Sequence, residues 1–154
     1  MPRIARVFIK TGLIYFLTSL LLGLASEFNW LQFPGIVPLF WHLLMVGWIT
    51  QIIFGVSMWM FPGRTREEGF KAQLWGWLTY ILLNVGLVFR VVAEPATYFG
   101  TGSLWSVLIV ISAVSQVLAA LTYIKELWPR IQSKEQRRRQ RKKKRKREKS
   151  KNSG

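Results

Sequence analysis

The chain lacks two residue types and nearly lacks a third: its 154 residues include no cysteine, no aspartate and a single histidine, His42. Without thiols there are no disulfides, no thiolate metal sites and no covalently attached c-type haem. The absence leaves redox compartment open, because a cysteine-free chain suits either side of a membrane. One histidine with no cysteine also leaves little for nucleophilic catalysis, and the sequence contains no glycine-rich phosphate loop. These gaps argue against an enzyme acting by itself.

Acidic charge is scarce and basic charge is unevenly placed. From Arg130 to Gly154 there are 14 Lys+Arg and two Glu, whereas the preceding 129 residues hold 8 Lys+Arg and five Glu. The formal charge of +15 therefore belongs mostly to a tail, and the body is close to neutral and strongly apolar. Residues 1–129 read as one membrane domain and residues 130–154 as a disordered polybasic segment, which repels itself and has no apolar surface to bury.

Four apolar runs, at about 7–25, 38–60, 73–93 and 103–127, reach the roughly 20 residues needed to cross a hydrocarbon core about 30 Å thick. Helices are the expected form, since open strands at that depth would leave backbone groups unpaired. Pro34-Gly35, Pro38, Pro62-Gly63, Glu94-Pro95, "GTGS" and Trp128-Pro129 punctuate the runs as helix boundaries. The fold class is an all-α membrane protein, a four-transmembrane-helix bundle followed by a basic tail. The "LLGLAS" segment has the look of a signal-peptide cleavage site, but the run before it is long for that, so the first span is expected to be retained.

Basic residues set the orientation. Arg3, Arg6 and Lys10 precede or open the first run, Arg64, Arg66 and Lys71 join the second to the third, and the tail follows the fourth. The other two loops carry no Lys or Arg. The positive-inside rule places both termini and the 61–72 loop in the cytoplasm. Trp30, Trp41 and Trp105 near the outer ends, with Trp59, Trp75, Trp77 and Trp128 near the inner ones, form two interfacial belts.

At about 100° per residue, the helices carry stripes of small and weakly polar residues suited to close approach in lipid. They are Thr11, Tyr15, Thr18, Ser19, Leu22 and Ser26 in the first; Ala72, Gly76, Thr79, Leu83, Gly86 and Arg90 in the third; and Thr101, Trp105, Ser112, Ser115, Gln116, Ala119 and Tyr123 in the fourth. In the second, Gly47, Gln51 and Gly55 share a face, and His42 falls on the opposite one among apolar neighbours. An ionisable group inside a span is a functional candidate by default. Depth brings His42, Arg90 and Glu94 to the same outer interface. The plainer reading pairs Arg90 with Glu94 at spacing four and bonds His42 to a loop carbonyl. Gln51, Asn84 and Gln116 are read as interhelical hydrogen bonders, not as a conduit.

The block "HLLMVGWITQIIFGV" (His42 to Val56) followed by "WMFPG", with the earlier "FIKTGLIYFLTSLLLGLAS" and the later "LLNVGLVFRVVAEP", resembles subunit I of the haem-copper oxidases, especially short relatives that keep only the first helices. The likeness spans about residues 5–125. It implies that His42, at the outer end of the second helix, is an axial ligand of a haem iron, that Arg90 meets haem propionates, and that the cofactor is haem b. The chain departs from the family in lacking the later histidines for a second haem and copper, so it is not an oxidase alone. A sixth ligand would come from His42 of a second copy, or from Met45 or Met60. The sequence expectation is a haem-binding membrane protein for electron transfer or haem handling. The alternative is a cofactor-free scaffold or assembly factor for another membrane subunit. Expected partners are the lipid bilayer and, through the tail, anionic headgroups. Nucleic acid is not expected, because no aromatic interleaves the basic run.

Overall fold

The computed structural model describes residues 1–28, 35–61, 71–100, 102–131 and 142. Trp30, Thr101, the basic residues at 64 and 66, and the tail beyond 131 apart from Lys142 lie outside them, as do the side chains at 71–73, 99 and 129. Among the described residues four long helices make up the fold: α1 (Arg3–Glu27), α2 (Ile36–Met60), α3 (Lys71–Phe99) and α4 (Ser103–Leu127). A short 3-10 turn, Trp128–Arg130, follows α4. Each of the four helices contains a segment of 25 residues long and apolar enough to cross a membrane. Their outward faces agree, with Leu13, Ile14, Leu17, Val107, Val110 and Val117 all more than half exposed.

Two of the helices differ from the sequence expectation. Glu94-Pro95 was expected to end α3, yet the helix runs on to Phe99 with Pro95 inside it. Proline removes one amide donor and crowds the preceding turn, a loss that membrane helices tolerate when neighbouring groups re-satisfy the backbone. The extra turn keeps Glu94 within the helix. In α2, residues His42–Thr50 form a π-helical segment between two α-helical ones, Ile36–Trp41 and Gln51–Met60. The Thr50 hydroxyl donates to the Met45 carbonyl five residues back, at 2.9 Å. The wider i→i+5 turn is rare and recurs at functional sites.

One core joins all four helices: Ile4 and Phe8 of α1, Phe54 and Met58 of α2, Leu83 of α3 and Ala119 of α4. The small-residue stripes do the work expected of them. A Cβ on Gly47 would sit 2.8 Å from the Tyr15 ring, and one on Gly55 3.0 Å from Phe8 Cβ, so α1 and α2 pack at glycine distance. Gly86 lets the α4 backbone approach, and the Ser112 hydroxyl donates to the Gly86 carbonyl at 2.6 Å. Polar side chains add further ties between helices. Thr11 bonds Tyr80 (2.9 Å), Gln51 Nε2 donates to Asn84 Oδ1 (3.0 Å), Ser57 bonds Tyr123 (2.7 Å) and Thr79 bonds Thr122 (2.9 Å). Where the start of α3 meets the end of α4, Lys125 Nζ lies 3.9 Å over the Trp75 ring, and Arg130 pairs with Glu126 one turn before it.

Candidate functional site

His42 opens the π-helical segment, and that local geometry redirects it. In a regular α-helix residue 42 lies across the helix from the Gly47–Gln51–Gly55 stripe. A π turn rotates less per residue, so the ring swings from the opposite face toward α3. The expected isolation of His42 among apolar side chains is therefore corrected: its side chain is 27% exposed and meets two polar groups.

The first is the carbonyl of Pro38, one turn back on α2, 2.8 Å from His42 Nδ1. A carbonyl oxygen can only accept, so Nδ1 carries the hydrogen. In the neutral ring Nε2 is then left with its lone pair. The second is Glu94 of α3, whose Oε1 lies 3.4 Å from the same Nδ1. Glu94 is 9% exposed.

This changes the expected pairing. Among the described residues Glu94 meets His42 across the helix interface, and no ion pair joins it to Arg90 on its own helix. The bonded carbonyl also belongs to α2 itself and not to a loop. Arg90 is half-buried one turn before Glu94, and its Nε, like Glu94 Oε2, is buried without a hydrogen-bond partner among the described residues. His42 and Glu94 thus meet where α2 and α3 pack, with Arg90 one turn before Glu94 on α3. What sequence reading missed was the contact of Glu94 with His42, for which the available signal was an acidic residue at the end of an apolar span.

Around this cluster α2 presents Trp41 and Met45 to the surroundings, 49% and 43% exposed. A groove of about 510 Å³ lies between the C-terminal end of α1 and the N-terminal end of α2, walled by Leu20, Gly23, Leu24, Val37 and Phe40. His42 is not part of its wall. Among the described residues no group of three or more His, Cys, Asp or Glu could hold a metal ion. The donor chemistry nevertheless suits one axial position of a haem iron: a neutral imidazole whose Nδ1–H is anchored to an acceptor and whose Nε2 is unprotonated. The fit extends to one ligand and not to an enclosed porphyrin pocket in a single copy. The chain matches no protein-family model, no curated protein and no solved structure.

Proposed function

We propose that the protein is a multi-pass inner-membrane haem-binding protein, with both termini cytoplasmic and His42 Nε2 as an axial ligand of haem b, serving electron transfer or haem handling. The observation that supports the reading most is the 2.8 Å contact from His42 Nδ1 to the Pro38 carbonyl, which leaves Nε2 as the free nitrogen. The sequence likeness of His42 to Val56 to haem-copper oxidase subunit I points the same way. Bound there, the haem would supply one-electron iron chemistry. The chain's own residues supply the ligand, its orientation and, on the same helix, the exposed apolar side chains of Trp41 and Met45. Arg90, half-buried at the same end, is the basic residue for the propionates. A second copy or another subunit would cover the open side and provide the sixth ligand. The basic tail holds anionic headgroups at the cytoplasmic leaflet.

A second reading has its own support. The bridge from Pro38 through His42 to Glu94 is a sufficient structural role for the histidine, as in a cofactor-free scaffold whose helices receive a partner subunit. One experiment separates the two. Protein purified from haem-replete cells should show a reduced-minus-oxidised Soret and α-band spectrum that His42→Ala abolishes. A wild type that stays colourless after haemin is added, while remaining folded, rules for the scaffold.

A further inference from the structure

Iron ligands are held in place by what their second nitrogen touches, and here that nitrogen meets a carboxyl group from a different helix. We infer that Glu94 is the positioning residue of His42: it fixes the ring between α2 and α3 so that Nε2, and not Nδ1, is presented for ligation. The inference rests on reading His42 as an iron ligand, but its geometric half stands without haem.

The argument has three parts. Nδ1 lies 2.8 Å from the Pro38 carbonyl, to which it donates, and 3.4 Å from Glu94 Oε1, so the protonated nitrogen faces a carboxyl oxygen of α3 while its hydrogen bond goes to α2. The carbonyl is on the same helix and leaves the ring's tilt toward α3, and with it the retention of the hydrogen on Nδ1, without a partner on the neighbouring helix. Glu94 supplies that second restraint. It is kept there by two features unusual for the sequence around it. The π-helical turn beginning at His42 aims the ring at α3, and the continuation of α3 through Pro95 to Phe99 keeps Glu94 on the helix face. Outer-shell carboxyls of this kind orient metal-binding histidines and raise their basicity, and their loss typically weakens metal affinity by about 10- to 100-fold.

A single histidine makes the test direct, because histidine-selective ¹⁵N labelling gives one ring and needs no assignment. In the haem-free protein, wild type should show one Nδ1–H, Nε2-unprotonated tautomer. Glu94→Gln, which keeps an accepting oxygen, should retain that pattern. Glu94→Leu should bring the two ring nitrogen shifts toward a common average. In haemin titrations Glu94→Leu should bind about 10- to 100-fold more weakly than wild type, with Glu94→Gln within a few-fold. An unchanged ring spectrum in folded Glu94→Leu overturns the inference. Should that variant not fold, ¹³C-carboxyl labelling of glutamate in the wild type decides. Dipolar dephasing of the His42 Nδ1 signal by a glutamate carboxyl carbon is expected, and its absence overturns the inference. Failure of the haem reading looks different: no haemin binding by wild type, with the ring signals as described.

Discussion

The ring of Tyr123 on α4 lies flat against that of Phe54 on α2, with centroids 3.7 Å apart and planes 9° apart, while the Tyr123 hydroxyl bonds Ser57 one turn along. Two kinds of contact thus converge on one side chain, and they are separable. Tyr123→Phe keeps the stack and loses the hydrogen bond, at about 0.6 kcal/mol by the average for interhelical bonds in membranes. Tyr123→Ala also removes the aromatic, at about 3–5 kcal/mol. Reversible unfolding in mixed micelles should show this ranking. Equal losses would mean that the ring carries little.

Gly47 faces Tyr15 so closely that an added methyl overlaps the ring, at 2.8 Å from its Cγ. Gly47→Ala should therefore cost about 1–3 kcal/mol by overpacking. Gly12→Ala is the comparison, since its new methyl meets the flexible end of Ile52 at 3.2 Å and should cost less. Thermal denaturation of the two variants side by side is the measurement.

Gln51, fully buried, donates to Asn84, which in turn donates to the Tyr80 carbonyl on its own helix. A double-mutant cycle with Gln51→Leu and Asn84→Leu should give a favourable coupling of no more than about 1.7 kcal/mol, the upper end for such bonds in lipid. A coupling near zero would show that the pair is geometric only.

The tail and the orientation can be tested on the same cysteine-free background. Removing residues 134–154 should weaken attachment of the purified protein to anionic liposomes, at about 1 kcal/mol per basic residue near the surface, with the difference shrinking in high salt. For orientation, Ser103→Cys should react with a membrane-impermeant maleimide from outside the cell. Arg64→Cys should react only after permeabilisation. The reverse pattern would invert the assigned topology.

Much of the fold was legible because length and apolarity set the spans and small residues set the contacts. Gly76, Thr79, Leu83 and Gly86 are buried on α3, and Ser112 and Ala119 on α4, in the stripes that helical periodicity marks. Thr18, assigned to the α1 stripe, is exposed and bonds the Ile14 carbonyl instead. The surroundings of His42 were not legible, for two physical reasons. A fixed rotation of 100° per residue cannot anticipate a π turn, and no sequence spacing says which helices are neighbours. Pro95 was read as a stop because proline ends most soluble helices; here only one more turn follows it.

The π-helical segment His42–Thr50 makes the N-terminal third of α2 a rotor whose angle is stored in the winding of nine residues. Excising one residue between 43 and 49 and closing the segment with ordinary i→i−4 pairing would reset the phase of everything upstream while leaving the Phe54, Gly55 and Met58 contacts seated. Such a shortened protein should still insert and fold, yet carry its imidazole to a different azimuth. The phase of that helix would then be a heritable setting, adjustable by insertion or deletion without disturbing the packed interior.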